Sequence, residues 1–224
     1  MKIAACSPSI IEYDIAHNLS EIIRYVDEVV ALGILIIDKI KQKAASSSIW
    51  IALGFIEIDE ISGMLYDSAI LIDDIGEIAL HYRRTSPGWL WKKSVPMYGY
   101  GQHFPTVSTP WGKTGFLICG DLFQTEDAAI DAKLDLLLFP FARCHFLLDV
   151  RNEDSEWRRS HWSEYAEQIK KINALTIMSN YIAPGEGSEF EGGCGGAFIT
   201  DKESNILAKL QLNTPGMAIF EPSV

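Results

Sequence analysis

The segment Thr114–Ile130, TGFLICGDLFQTEDAAI, governs how the rest of the chain is read. An apolar run through Phe116, Leu117 and Ile118 ends on Cys119 and turns through Gly120–Asp121. It then passes into the acidic opening of a helix at Thr125–Asp127. A thiol at a strand-to-helix turn admits two readings. Free cysteine is among the most buried residue types, so Cys119 fits as core filler. Alternatively, backbone N–H groups at the turn, Gly120 first among them, bind an oxyanion, and the positive helix end favours a reactive thiolate.

The bulk properties narrow the choice. A chain of 224 residues, 48% of them hydrophobic, is long enough for one domain, 1–224, with a real core. A formal charge of −11 opposes binding to nucleic acid or to an anionic membrane. Cys6, Cys119, Cys144 and Cys194 are widely spaced with no C-x-x-C pair, so a disulfide framework is not expected and a reducing, cytoplasmic setting is. MKIAACSPSI lacks the apolar length of a signal peptide, and the longest apolar runs, LDLLLFPFA and ALGILII, are too short to span a bilayer. His17, His81, His103, His145 and His161 show no H-x-H or H-E-x-x-H spacing, so no metal site and no cofactor are expected.

Strand and helix patterns alternate along the chain. MKIAACS reads as a strand and HNLSEIIRYVDEVVALG as a helix, with Asn18 and Glu21 forming its start and Gly33 its stop. SIWIALGFIEI is a strand, and DSAILIDDIGEIALHYRR is a hairpin turning at Asp73–Gly76. GKTGFLIC (strand), TEDAAIDAK (helix), LDLLLFPFA (strand), WSEYAEQIKKINA (helix) and LTIMSN (strand) follow. A second hairpin, GGAFITDKESNILAKL, and GMAIFEP complete a mixed α/β pattern. The rhythm breaks after Gly33. ILIIDKIKQKAASSS looks helical, so ILII is a very short strand or two helices follow one another with no strand between.

YDSAILIDDIGEIALHYRR, GQHFPTVSTPWGKTGFLICGDLFQ, KLDLLLFP, ALTIMSN and GGAFITDKESNILAKL resemble, in order and spacing, the nitrilase superfamily of carbon–nitrogen hydrolases, and its amidase branch most in flavour. The resemblance implies a four-layer α-β-β-α sandwich that pairs into a homodimer or higher homo-oligomer. It also implies a Glu-Lys-Cys triad acting on a small-molecule amide or nitrile through an acyl-enzyme thioester. Cys119 matches the nucleophile. Arg84 stands where the family's Tyr-Arg-Lys run has lysine; it keeps the charge but not the point-charge geometry of an ammonium. Lys92 and Lys93 lie a little downstream beside Trp89 and Trp91, as substitute cations or as solvated surface lysines. The aromatic run around them is a pocket wall or a dimer contact.

The glutamate base has no secure counterpart. Only Asp38–Lys39 stands near the expected place, Glu57 matches a structural position one strand later, and SVPMYGYGQHF offers no acid. Asp121 is expected to support the turn. Either a segment between Gly33 and Ile34 is missing from these 224 residues, or a true deletion has left an inactive binding or scaffolding protein of the same fold. A missing segment requires a Cα separation there well above the roughly 3.8 Å of a trans peptide. Cys144–His145 is expected at the pocket mouth. EGGCGGAF is expected to take a tight backbone path with Cys194 as filler.

Overall fold

Alternation along β-strands assigns the layers. The computed structural model describes residues 3–7, 36–87, 98–145, 161–182, 191–212 and 214–221. In β7 (Leu136–Phe141), Leu136 and Leu138 point one way and Leu137 and Phe139 the other, and all four are buried. A strand buried on both faces needs a cover on each side.

One cover is a sheet. β2 (Ile51–Ile58), β3 (Leu65–Ile72) and β4 (Ile78–Arg83) form an antiparallel three-stranded sheet. Its Ala69, Leu71, Leu80 and Tyr82 pack on Leu136, Leu138, Phe116 and Ile118. The expected turn joins β3 to β4, closed by Gly76 N–H donating to Asp73 O at 3.0 Å. The opposite face of this sheet carries Ile70 and Ile72, which pack with Ala44, Ile37 and Ile40 of α1 (Ile36–Ser47). Ile36 and Ile37 are therefore helical, so no short strand occupies them; Lys39, Ile40 and Lys43 continue that helix. The Gly33–Ile34 junction and the helix expected over 18–32 lie outside the described residues.

Among the described residues the second sheet has six strands. β5 (Thr106–Thr109), β6 (Gly112–Phe116), β9 (Leu175–Asn180), β11 (Ala197–Thr200) and β12 (Ile206–Leu210) join β7 in the order β12-β11-β9-β7-β6-β5. β6, β7 and β9 run parallel at its centre. The far face, with Leu117, Leu137, Phe139 and Met178, is covered by Ala129 of α3 (Glu126–Ala132) and by Tyr165, Ile169 and Ile172 of α4 (Trp162–Ile172). Between β6 and α3 sits a four-residue helix, α2 (Asp121–Gln124).

β1 (Ile3–Ser7) pairs antiparallel with β13 (Gly216–Phe220), and Ala218 and Phe220 pack on Ala197 and Ile199 in the same inter-sheet space. Short β8 (Cys144–His145) pairs with β10 (Glu191–Gly193). The order helix, sheet, sheet, helix is the four-layer sandwich that the resemblance implies. Among the described residues no helix is long and apolar enough to cross a membrane.

Candidate active site

Cys119 sits where the two cores meet, packed against both the inter-sheet and the helix-facing cluster. The backbone beyond Phe116 stays bonded to β7: Leu117 N–H donates to Leu138 O at 3.2 Å and Cys119 N–H to Pro140 O at 3.0 Å. The chain then reverses. Cys119 takes φ +49°, a left-handed conformation that non-glycine residues seldom adopt. Asp121 N–H reaches back to Ile118 O at 3.0 Å and Leu122 N–H to Cys119 O at 3.3 Å. Among the turn's amides Gly120 N–H donates to no described group. The half-buried thiol points toward Ala142 O at 3.5 Å.

Asp121 pins this turn from below. Its fully buried carboxylate accepts from Tyr82 Oη at 2.7 Å, Ser86 N–H at 2.8 Å and Ile118 N–H at 3.0 Å. A buried carboxylate that accepts several donors is far cheaper than an unpaired one, which is why an acid can stand here at all. Burial and the Asp121 charge push the Tyr82 phenol far above its ordinary range, so it remains a donor.

Arg84 enters from the end of β4, its side chain 11% exposed. Nε donates to Ser86 Oγ at 3.1 Å, and Nη1 to Asp67 Oδ2 at 3.2 Å. Nη2 lies against the Cys119–Gly120 turn: a Cβ placed on Gly120 would sit 2.5 Å from it. The structure thus brings Cys119, Gly120 and Arg84 together.

The acidic candidates do not join them. Asp38 lies in a shallow hollow with Lys41, Gly76 and Glu77, in the outer helical layer. Glu57 sits on the α1 side of its sheet and hydrogen-bonds Ser68 and His81 at 2.6 and 2.9 Å and also Arg83. Lys92, Lys93 and the tryptophans beside them fall outside the described residues, as do the side chains of Cys144 and His145.

A second set of hydrogen bonds links the ends of β7 and β9. Asn180 Oδ1 accepts from Arg143 N–H, and Asn180 Nδ2 donates to Arg143 O, both at 3.2 Å. Cys194 is packed in the core cluster. Fully buried, it accepts from Asn180 Nδ2 at 3.4 Å and donates to Arg143 O at 3.3 Å. Burial pushes the Tyr165 phenol up to about 12, against the charge and hydrogen bond of Arg143, and both thiols add to the rise. Asp67, Ser86, Arg143, Tyr165 and Asn180 carry no sequence signal of a shared site. They stand on separate elements, and only Ser86 and Arg143, each just past the end of a strand, occupy places that loop position alone would flag.

The chain is similar to a family profile, a curated relative and two solved structures. A family profile described as carbon-nitrogen hydrolase matches residues 24–221. The deaminated glutathione amidase of Dictyostelium discoideum is 33% identical over 199 residues, covering 83% of this chain and 64% of that protein. The chain spans less than two thirds of the length of the curated relatives it matches. Among solved structures, a carbon-nitrogen hydrolase from Helicobacter pylori superimposes with a TM-score of 0.71 at 14% identity, over 97% of this chain and 88% of that one. An amidase mutant from Nesterenkonia sp. AN1 gives 0.68 at 15%, over 98% and 89%. It shows the acetamide moiety of fluoroacetamide added covalently at its active-site cysteine. At such identities these structures bear on the fold.

Proposed function

The chain belongs to the carbon–nitrogen hydrolase family, and from that premise we propose that it is a thiol amidase cleaving a small linear amide or related non-peptide C–N bond. The observation that carries this reading is the Cys119 turn: a thiol held at positive φ, a Gly120 N–H without a described acceptor, and a guanidinium seated against the same peptide. In the proposed reaction the Cys119 sulfur attacks the amide carbon and forms a C–S bond. The carbonyl electron pair moves onto oxygen, where Gly120 N–H and Arg84 meet it. The C–N bond then breaks, ammonia or an amine leaves with a proton, and an acyl thioester remains. Water adds to that thioester, the C–S bond breaks and a carboxylic acid departs, with the thiol restored.

Arg84 supplies charge and hydrogen bonds in this reading but no proton shuttle. Among the described residues no carboxylate stands as the base. The unit of function is proposed to be a homodimer or higher homo-oligomer in the cytoplasm.

Intact-mass spectrometry during turnover of a panel of short-chain amides tests the reading. The expected result is an adduct of acyl mass on Cys119, with Cys119→Ser reducing turnover by several orders of magnitude. A parent protein that forms no adduct and alkylates no faster than a free thiol would leave an inactive binding protein of this fold.

A further inference from the structure

Arginine is longer and flatter than the lysine that the family pattern places at position 84, so a site using it needs a differently shaped seat. The structure contains one. Two of the three Arg84 guanidinium nitrogens are hydrogen-bonded, Nε to Ser86 Oγ and Nη1 to Asp67 Oδ2, and the third, Nη2, lies beside Gly120. Two directional hydrogen bonds on a planar group fix its plane as well as its position, which a single ammonium contact cannot do.

Asp67 is bound to Arg84 twice. Arg84 N–H also donates to the Asp67 carbonyl at 2.8 Å, continuing the β3–β4 ladder beyond its last strand pair. From the other side Gly101 N–H donates to Arg84 O at 2.8 Å, so the backbone root of the side chain is held on both flanks. Ser86 is in turn tied to the nucleophile turn, since its N–H and that of Ile118 share the Asp121 carboxylate.

We propose that Asp67 is a positioning residue for the reaction: by holding Nη1 it aims Nη2 of Arg84 at the Cys119–Gly120 peptide, where the oxyanion develops. This rests on the reading of Cys119 as nucleophile and Arg84 as cation. Asp67 touches neither thiol nor substrate and acts through the guanidinium alone. Burial lifts the Asp67 carboxyl above its ordinary range, the Arg84 charge pulls it back, and the Asp121 charge adds to the rise.

The sign of the effect separates positioning from bulk electrostatics. Removing a nearby anion should, by charge alone, make Cys119 more reactive; removing the anchor of Arg84 should do the reverse. Four variants of the full chain are compared: Asp67→Ala, Asp67→Asn, Arg84→Met and the Asp67→Ala/Arg84→Met pair. The readouts are iodoacetamide alkylation of Cys119, located by peptide mass, and kcat and KM for a short-chain amide. Asp67→Ala is expected to slow alkylation and to lower kcat roughly ten- to a hundredfold with KM little changed. Asp67→Asn, which keeps an acceptor oxygen, is expected to recover part of the loss. In the Arg84→Met background Asp67→Ala should cost nothing further.

Unchanged or faster alkylation in Asp67→Ala, or an equal loss in the Arg84→Met background, would overturn the proposal. A readout independent of turnover is the Arg84 Nε–H signal in nitrogen-15 NMR. It is expected to be sharp and slow to exchange in the parent and to collapse in Asp67→Ala. Its persistence sinks the positioning role even if the protein hydrolyses no amide, whereas inactivity with collapse of the signal counts against the proposed function alone.

Discussion

Gly120 constrains its surroundings through the side chain it lacks. Its backbone, φ −62° and ψ −18°, suits any amino acid, so conformational freedom is not the reason for glycine here. The reason is space: a Cβ would meet Arg84 Nη2 at 2.5 Å, Gln124 Nε2 at 3.2 Å and Ser86 Oγ at 3.4 Å. Gly120→Ala is therefore expected to push the guanidinium off the turn and lower kcat by about tenfold or more while leaving the melting temperature within a few degrees. Kinetics and thermal melting of the same preparation check this. An active Gly120→Ala enzyme would mean that Arg84 works from elsewhere. At the neighbouring position the constraint is conformational, because Cys119 holds its positive φ through the bonds on either side of it.

At the scale of elements, β4 delivers two consecutive arginines to opposite faces of one sheet. The period of two sends Arg84 toward the second sheet and Arg83 outward. Arg83 hydrogen-bonds Glu57 and Asp59 and lies 3.9 Å from the centre of the Tyr66 ring, an interaction with no bearing on Cys119. Burial raises the Glu57 carboxyl, but hydrogen bonds from Arg83 and Ser68 and the charge and hydrogen bond of His81 outweigh it and hold it at about 2 instead of 4.5. A carboxylate whose pKa falls on folding stabilises the fold above its unfolded value and stops doing so as pH falls through the folded value. The contribution of Glu57 is thus complete above about pH 4.5 and lost toward pH 2. Urea denaturation of parent and Glu57→Gln should differ most near pH 6 and converge by about pH 2. Curves separated equally at both ends would show that the charge of Glu57 is not the cause.

Across the whole molecule, the site depends on two sheets staying in register face to face. Arg84 belongs to one and Cys119 to the other, and the side chains between them set their separation. Phe116, 1% exposed, stands in that layer with Leu71, Leu80 and Tyr82. Phe116→Ala is expected to cost roughly 3–5 kcal/mol, the range for a large core truncation, read from chemical denaturation. Activity per folded molecule should fall too, because a cavity between the sheets loosens the vector from Arg84 to Gly120. A variant of lower stability but full activity would place the register elsewhere, for example in the Asp121 hydrogen bonds that also cross between the sheets.

Local chemistry determined a good deal on its own. β7 was legible because a strand buried on both faces must be apolar throughout, and α4 because its apolar residues recur at helical spacing. The Cys119 turn was legible because the apolar run, the Gly-Asp pair and the acidic helix start are contiguous. The short helix α2 before α3 was not foreseen, since four residues carry too little pattern to separate from a turn. What only the tertiary structure decided are the relations between elements. Asp67 lies mid-strand, Ser86 just beyond another strand, and Asn180 at the end of a third, and no spacing within the chain links them. Side-chain identity and sequence neighbours specify which face a residue takes. Which partner it meets across that face depends on how two sheets stack, and stacking is set by the packing of the whole core rather than by any segment of it.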